Sequence, residues 1–478
     1  MRDYEFYYTK DGSIGLYSYT DNDVYHSKFG ALTEAWEKFV IPSGIMDTLN
    51  RTSEIKVLDI CYGIGYNTKA LMSYVINSNE KFLIKENFFK KILKNLKKNS
   101  SVDNNIDTRD GNNTFVNSNK LLLPNDKIYA NNSVQPSTIK IDCLDINEEL
   151  VKISPLLKTV ITPQEIYTKF VPNFFDCFDT YWNIKKFISK ISHVFMPKNN
   201  KNITELLDLK FNNDYDEIVN EYRINHFVNY IIIDALIKKY SSDYIDKNFK
   251  KILRDKKKKR FYDKSLIKYA LFKQKTGYNF ISKLNLSAFL HNIYYDHLSK
   301  RYKRGKLEDI EKLFSLNFYV NDARKSLLEL SEEYNYIFLD AFTFSKAPEL
   351  WTVEFMSELH KRLSHNGLLM TYSNSALVRN TLLENNFYVG KIYNEKTKKF
   401  IGTVAAKDKS LIKYPLSNYE IGLCNTKAGI PYHDVGLCQS KDIILKRREY
   451  EFKKSELMTS SQYMKSRTNK NEENDDEI

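Results

Sequence analysis

Apolar and polar positions alternate at the start of the chain. From Tyr4 to Tyr19 the alternation has a period of two on either side of Asp11-Gly12-Ser13. Because Asp-Gly supplies the positive φ that a tight turn needs, this pattern predicts a β-hairpin. From Tyr25 to Phe39 the spacing of the apolar residues changes to that of a helix. The first part of the chain is therefore predicted to be a hairpin followed by a helix.

A strand, a glycine turn and a helix come next. Ile55 to Ile60 is a short apolar run typical of a buried strand, Gly63 and Gly65 follow it, and 67–75 has helical spacing. Strands and helices continue to alternate further along, which predicts a mainly parallel sheet covered on both faces. The later predicted strands are 138–145, 316–323, 334–341, 367–373, 387–393 and 402–407, and the later predicted helices are 348–363 and 376–384.

Two long segments interrupt this alternation. Residues 77–137 are rich in Asn, Lys and Ser with almost no period, which predicts a partly disordered surface insertion. Residues 153–314 are dense in Phe, Tyr, Ile and Leu at helical spacing and predict a mostly helical insertion with a small core of its own. The resulting divisions are 1–50 for the hairpin and helix extension, 51–152 and 315–460 for the two parts of the α/β core, and 461–478 for a disordered tail.

Composition narrows the class of protein. The 478 residues carry a formal net charge of +13, which either favours an anionic partner or reflects a genome that encodes Lys and Asn freely. The run Lys256–Arg260 likewise has two interpretations, a grip on RNA or a solvated helix end. The five cysteines are scattered without CxxC spacing, so neither a disulfide framework nor a metal site is predicted. Since no signal peptide or membrane-spanning pattern is found, we expect a cytoplasmic protein with no membrane partner.

The glycine turn carries the first candidate chemistry. Small residues follow a buried strand in Asp59–Asn67, so the backbone can approach a ligand closely while the next helix offers its N–H groups. Cys61 stands where the dinucleotide-binding fingerprint has its first glycine, and an acidic residue near the strand end suits S-adenosylmethionine (SAM) better than NAD. SAM is therefore the predicted cofactor. The predicted cofactor-binding residues of this segment are Asp59, Gly63, Gly65 and Asn67.

Three further aspartates fall at predicted strand ends. Asp145 could accept hydrogen bonds from the ribose hydroxyls of a bound nucleoside, or it could cap the next helix. Asp322 could accept from an adenine amino group, or it could be a helix N-cap. Asp340 ends an apolar run, and ligands of open α/β sheets bind outside the carboxyl ends of the strands. Together with Asp59 these carboxylates predict one shared site, with Asp340 where the reacting groups meet.

A set of short motifs carries a family resemblance. They are Thr9–Ser13, Tyr25–Ala31, Asp59–Asn67, Asn321–Lys325, Leu339–Phe342, Pro348–Trp351, Tyr372–Ser375, Val378–Arg379 and Gly429–Asp434. In these motifs and their order the chain resembles the methyltransferase part of the tRNA 5-methylaminomethyl-2-thiouridine biosynthesis (MnmC-like) family. The resemblance implies a Rossmann-like class I SAM-dependent methyltransferase sheet. It also implies methylation of the aminomethyl group of 5-aminomethyl-(2-thio)uridine at the wobble position of tRNA.

The resemblance assigns roles to individual side chains. Asp340 would hydrogen-bond the substrate amine and stabilise its growing positive charge, and Phe342 would stack on the uracil ring. His26 would act as a general base or, alternatively, only as an exposed hydrogen-bonding residue. Arg379 would contact a phosphate, with Lys398 and Lys399, or these would be ordinary solvated charges. The residues expected to contact the substrate are Tyr25, His26, Ser27, Ser373 and Arg379.

The same resemblance implies the expected partner, and two other functions remain as alternatives. The partner would be the anticodon stem-loop of tRNA. Nothing in the chain resembles the family's flavin oxidase domain, so methyl transfer alone is expected, with a functional link to the enzymes that install the aminomethyl group or to an oxidase on a separate chain. The alternatives are a polyamine-type aminopropyl transferase, which shares the fold and the acidic pocket, and a non-catalytic RNA-binding protein on a methyltransferase fold.

Overall fold

The structure, a computed structural model, describes most of the predicted α/β core and part of the predicted helical insertion. The described residues are 4–11, 13–20, 22–25, 30–49, 51–76, 138–158, 228–255, 257–276, 312–395 and 397–468. The predicted Asn-rich insertion at 77–137 therefore lies outside the described residues. Among the helices that are described, none combines the length and the apolarity needed to cross a bilayer.

The chain opens with the predicted hairpin. Strand β1 (Tyr4–Tyr8) pairs antiparallel with β2 (Ile14–Ser18), and a short β3 (Asp23–Val24) extends this small sheet. Helix α1 (Ala31–Ala35) begins later than the predicted start at Tyr25 and continues into a π-helical turn, Trp36–Val40. The hairpin prediction is confirmed, while the helix prediction was too long at its amino end.

In the described residues a second sheet of seven strands forms the centre of the protein, in the order β6-β5-β4-β7-β8-β10-β9. Its strands are β4 (Glu54–Ile60), β5 (Thr138–Asp145), β6 (Phe314–Val320), β7 (Tyr334–Leu339), β8 (Leu363–Thr371), β9 (Tyr388–Asn394) and β10 (Lys399–Ala406). The pairs from β6 to β8 are parallel, whereas β10 runs antiparallel to both of its neighbours. The order reverses beside β4, because the chain steps outward to β5 and β6 and then returns to β7. The predicted Rossmann-like sheet is confirmed.

Helices cover both faces of this sheet. They are α2 (66–76), α3 (Glu148–Ile153), α4 (228–240), α5 (Lys247–Leu253), α6 (Lys264–Thr276), α7 (Ala323–Glu329), α8 (Val353–Arg362), α9 (Ala376–Glu384), α10 (Asn418–Cys424), α11 (Lys441–Lys454) and α12 (Ser460–Thr468). The side chains of β4 alternate between two buried clusters, as the period of two requires. Ile55 and Val57 join the cluster under α1 and α2, and Leu58 and Ile60 join the one under α8 and α9.

The part of the helical insertion that the structure describes, chiefly 228–276, packs on the main core instead of on a separate core. Ile232 of α4 and Leu266 of α6 belong to the same buried cluster as Leu150 of α3 and Phe318 of β6. An isolated bridge between Leu157 and Tyr262 also joins the start of the insertion, directly after α3, to its later part. The apolar spacing was interpreted correctly as helical, but the sequence could not show that its apolar face packs on the main core.

The carboxyl-terminal segment also differs from its prediction. Residues from 461 were predicted to form a disordered tail, whereas α12 occupies Ser460–Thr468. Its Tyr463 packs against Tyr419 of α10 with ring centroids 5.9 Å apart, and Arg467 lies over the same Tyr419 ring. A polar segment thus docks on α10 through contacts that include an aromatic pair, which its overall composition conceals. Residues 469–478 lie outside the described residues.

Candidate active site

The candidate site lies at the carboxyl ends of β4, β5 and β7, where the strand order reverses. Asp59 is the last but one residue of β4, Asp145 is the last residue of β5, and Asp340 directly follows β7. A crevice of this kind is the usual ligand site of open α/β sheets. The prediction that these aspartates share one edge of the sheet is confirmed. Asp322, by contrast, follows β6 and begins helix α7 further along that edge.

The turn after β4 has three residues in the left-handed region. Cys61 has φ +66°, Gly63 φ +56° and Gly65 φ +78°. A non-glycine residue in this region is strained, and such strain gathers at functional sites. At Gly65 a Cβ atom would lie 2.4 Å from the ring of the buried Tyr62, so no larger residue fits without a shift. The first glycine that the sequence lacks is thus replaced by a cysteine that adopts the glycine conformation.

Asp145 holds this turn in place. Its Oδ2 accepts a hydrogen bond from the Gly63 N–H at 2.6 Å, and its Oδ1 accepts one from the Asn147 N–H at 2.7 Å. Burial raises the pKa of Asp145 to about 6, although these backbone hydrogen bonds oppose the rise. The alternative that Asp145 caps the next helix is not supported, because Asn147 is the N-cap of α3. Each carboxylate oxygen keeps a second lone pair, so the predicted ribose contact stays a prediction.

Asp59 is fully buried behind the turn that follows β4. Its Oδ2 accepts a hydrogen bond from Thr68 Oγ1 at 2.6 Å, while its Oδ1 is buried and has no hydrogen-bond partner in the described structure. Burial raises the pKa of Asp59 to about 7, and the nearby Asp340 raises it further. A buried carboxylate oxygen without a donor is costly. A cationic ligand group on the far side of the turn would offset that cost, so the residues fit a cofactor that carries a positive charge.

Asp340 is the partly exposed carboxylate of the site. Asn67 Nδ2 donates to its Oδ2 at 3.0 Å, which fixes the orientation of the carboxylate toward the amino end of α2. Burial raises the pKa of Asp340 to about 6, with a further contribution from Glu34, whereas Asn67 and Lys38 lower it. At neutral pH the group is therefore mainly ionised and can accept a hydrogen bond from an amine.

Aromatic rings line the mouth of the site. The rings of Tyr25 and Phe342 meet edge to face with centroids 4.8 Å apart, and Tyr25 also contacts Tyr4 at 5.9 Å. Trp351 Nε1 donates to the Phe342 carbonyl at 2.8 Å and so fixes the backbone beside Asp340. The structure thus brings together the predicted substrate residue Tyr25 and the predicted stacking residue Phe342. His26 and Ser27, also predicted to contact substrate, lie outside the described residues.

The hairpin turn explains how Tyr25 is positioned. The buried Asp11 accepts hydrogen bonds from the Ser13 N–H at 2.9 Å and, through its other oxygen, from the Thr33 N–H at 2.8 Å. Ser13 Oγ accepts from the Ala31 N–H at 2.9 Å. The hairpin therefore caps the amino end of α1 and fixes both ends of the segment that carries Tyr25. Sequence reasoning found this turn but missed the cap, because the capped residues lie 18 and 22 positions further along.

Asp322 has the helix-capping geometry that was one of its two interpretations. Its Oδ1 accepts from the Arg324 N–H at 2.9 Å, and its Oδ2 pairs with Arg324 Nη2 at 2.6 Å. These contacts with Arg324 lower the pKa of Asp322 even though its partial burial opposes that change. Arg324 in turn pairs with the buried Asp434 at 2.7 Å. The structure shows Asp322 as an N-cap, and the adenine contact stays a prediction.

Arg379 does not occupy the phosphate-binding position predicted for it. Its guanidinium is buried, with Nη1 2.8 Å from Glu420 Oε1 and Nε 3.2 Å from Thr403 Oγ1. Thr403 Oγ1 also donates to the carbonyl of Ser373 at 2.6 Å, so Ser373 belongs to the same buried network behind β8. A single sequence gives no sign that an arginine on a helix points inward, since its ionic partner lies on a distant helix.

Two residues that were not predicted contribute to the site. Thr68 holds Asp59, as described above, and Tyr372 follows β8 with its ring 6.2 Å from that of Trp351. Burial is the main cause that raises the pKa of Tyr372, and the charge of Asp340 is the next. Tyr372 therefore lies within electrostatic reach of the reacting carboxylate. Its place after a predicted strand was the available clue. Among the described residues no group of His, Cys, Asp and Glu has the geometry of a metal site.

Segments of the chain are similar to known proteins. Residues 285–408 match a family described as S-adenosyl-L-methionine-dependent methyltransferase. An uncharacterized protein of Methanocaldococcus jannaschii, MJ0670, is 32% identical over 136 residues, which are 28% of this chain and 38% of that protein. The tRNA 5-methylaminomethyl-2-thiouridine biosynthesis bifunctional protein MnmC of Pseudomonas putida is 33% identical over 79 residues, 16% of this chain and 12% of that protein. The matched segments therefore span well under half the length of these relatives.

A solved structure, MnmC2 from Aquifex aeolicus, superposes with a TM-score of 0.46 at 18% identity, covering 95% of this chain and 86% of that one. The family match and the order of the strands are consistent with each other. Residues 285–408 thus match an S-adenosyl-L-methionine-dependent methyltransferase family, and part of the chain is similar to MnmC proteins.

Proposed function

We propose that the protein transfers a methyl group from SAM to the aminomethyl group of 5-aminomethyl-(2-thio)uridine at the wobble position of tRNA. The observation that carries the proposal is Asp340, an oriented and partly exposed carboxylate beside the aromatic pair Tyr25 and Phe342. An amine attached to a pyrimidine needs an acceptor for its N–H groups and an aromatic surface for its ring, and this mouth offers both. The name of the Pseudomonas putida relative supports the choice of tRNA.

SAM, when bound, supplies a methyl group that its sulfonium already activates. Its binding is assigned to the turn at Gly63 and Gly65, with Asp145 toward the ribose and Asp59 behind the turn. The task of the protein is then to place a neutral amine in line with the methyl group at about 3 Å. In the transfer the N–CH₃ bond forms, the S–CH₃ bond breaks, and the amine nitrogen gains positive charge.

Asp340 has the central role in that step. Its carboxylate accepts a hydrogen bond from the amine and stabilises the developing ammonium, because Asn67 holds it in position before the reaction. With a pKa of about 6, Asp340 stays ionised beside the ammonium product and stabilises its charge, because an alkylamine is a stronger base than this carboxylate. Phe342 would stack on the uracil ring once the base leaves the anticodon stack.

The test uses tRNA from cells that lack this enzyme. Purified protein is incubated with that tRNA and SAM carrying a labelled methyl group, and the nucleosides are analysed. Label in the methylamino derivative, reduced about 100-fold or more in Asp340→Asn, supports the proposal. The matched control is Asp408→Asn, which removes a carboxylate that only caps a short 3₁₀ helix. Binding of SAM without label in tRNA would contradict the substrate, and transfer to a diamine would favour the aminopropyl transferase instead.

A further inference from the structure

Positive charge is concentrated in the helical insertion. Residues 228–276 contain 15 Lys and Arg and five Asp, so this stretch alone carries a net charge of +10, while the whole chain carries +13. Charge collected in one segment creates a local field that attracts polyanions. Excess lysine from genome composition would be spread along the chain, so the concentration points to a binding surface.

The most basic turn of this segment packs on the hairpin. The 3₁₀ turn Lys259–Phe261 places the Phe261 ring 5.4 Å from that of Phe6 and 5.0 Å from that of Tyr8. Tyr8 Oη also donates to the Arg260 carbonyl at 3.5 Å. The basic turn is thus held against strand β1.

Strand β1 connects this turn to the candidate active site. Tyr4, Phe6 and Tyr8 are two residues apart and share one face of the strand. The Tyr4 end of that face contacts Tyr25 at the mouth of the site, and the Tyr8 end contacts Phe261. At about 3.3 Å per residue, Tyr4 and Tyr8 are separated by about 13 Å. The turn therefore lies beside the mouth, a few nucleotides away for a bound RNA strand.

The charged groups of this turn face solvent. Lys257, Lys259 and Arg260 are exposed, and in the part of the chain that the structure describes none of the three forms a salt bridge. The Arg260 guanidinium lies over the Phe261 ring, 4.8 Å from its centroid. Asp255 fixes the backbone of the turn, since its side chain accepts from the Lys257 N–H at 2.9 Å and its carbonyl from the Lys259 N–H at 2.8 Å. Exposed cationic groups on an anchored backbone, without a carboxylate paired to them, are suited to phosphate.

We propose that the turn Lys257–Arg260, called the basic turn here, binds the phosphate backbone of the RNA whose base enters the mouth at Tyr25 and Phe342. This inference rests on the proposed function and adds where the RNA outside the modified nucleotide is held. The basic turn supplies affinity and orientation, and the aromatic mouth supplies recognition of the base, a division of labour common in RNA-binding proteins.

The experiment measures the affinity of the full chain for tRNA as a function of salt concentration. One variant combines Lys257→Ala, Lys259→Ala and Arg260→Ala. The control combines Lys361→Ala, Lys409→Ala and Lys413→Ala, which removes the same charge from exposed residues. Lys361 precedes β8 and the other two follow the antiparallel β10, so all three lie at the edge of the sheet opposite to the site.

Each phosphate contact contributes about 0.7–0.9 to the slope of log affinity against log salt concentration. We expect the basic-turn variant to lower that slope by about 2 and to raise the KM for tRNA roughly tenfold at physiological salt, with kcat and SAM affinity unchanged. The control should keep the wild-type slope. A charge-preserving variant, Lys257→Arg with Lys259→Arg and Arg260→Lys, should restore most of the affinity.

The outcomes separate this inference from the proposed function. If the wild-type protein binds and methylates tRNA but the basic-turn variant keeps its slope and KM, the inference is wrong and the proposed function stands. An equal loss in the control variant would also overturn it, since the effect would then be general to surface charge. If the wild-type protein neither binds nor methylates tRNA, the proposed function fails and the inference fails with it.

Discussion

Replacement of Asp11 by alanine tests whether the hairpin caps helix α1. The carboxylate of Asp11 is fully buried and accepts from the N–H groups of Ser13 at 2.9 Å and Thr33 at 2.8 Å. Asp11→Ala would leave both groups without an acceptor, at about 1–3 kcal/mol each. The expected loss is therefore about 4 kcal/mol in the free energy of unfolding.

The matched control is Asp246→Ala. Asp246 is the N-cap of α5 and accepts only from the Phe249 N–H at 2.6 Å, and it is exposed. Its removal should cost about 1 kcal/mol, the usual value for an N-cap. Urea unfolding followed by near-ultraviolet circular dichroism gives both losses from the shift of the midpoint. Equal losses in the two variants would show that Asp11 is an ordinary cap and would refute the buried network.

Two further predictions concern the site, and a third concerns the buried network around Arg379. Gly65→Ala would place a Cβ 2.4 Å from the ring of Tyr62, so calorimetry should show at least about tenfold weaker SAM binding, whereas Gly44→Ala, also at positive φ but with open space around it, should leave SAM affinity unchanged. Because Asp59 has a pKa of about 7, its ionisation should raise the affinity for the cationic cofactor about tenfold from pH 6 to pH 8, and Asp59→Asn should remove this contribution and leave only the weaker dependence due to Asp145 and Asp340. Arg379→Ala should lower the free energy of unfolding by about 3 kcal/mol, because it leaves the carboxylate of Glu420 without its partner. The slope of log tRNA affinity against log salt concentration should not change. A changed slope with unchanged stability would instead support the predicted contact between Arg379 and a phosphate.

The regular elements of the core could be predicted from the sequence because local patterns determine them. Strand β5 and helix α9 have the predicted limits, Thr138–Asp145 and Ala376–Glu384. In β5 an apolar run ends at an aspartate, and α9 begins after Ser375, whose side chain accepts from the Val378 N–H as a capping serine should. The position of three aspartates at one edge followed from the parallel sheet alone.

What could not be predicted depends on contacts between distant segments. Arg379 was taken for a surface charge because its partners, Glu420 and Thr403, become neighbours only in the folded protein. Asp11 was taken for a turn residue, although one of its oxygens caps a helix that begins at Ala31. For Arg379 a tertiary contact replaces the surface role that is typical of an arginine. For Asp11 a tertiary contact adds a helix cap to the turn role that is typical of an aspartate.

The raised pKa values link the fold to its cofactor. Asp59, Asp145 and Asp340 have pKa values of about 7, 6 and 6, all above the ordinary value for an aspartate, with burial as the first cause. The folded state therefore binds protons more tightly than the unfolded state, so these groups stabilise the protein at low pH and that contribution is lost as the pH rises from about 4 to about 7. A cation bound among the ionised carboxylates offsets the loss. Without cofactor, the protein should thus be more stable at pH 5.5 than at pH 8, and SAM should stabilise it more at pH 8. A stabilising effect of SAM that is equal at both pH values would show that these carboxylates do not face its positive charge.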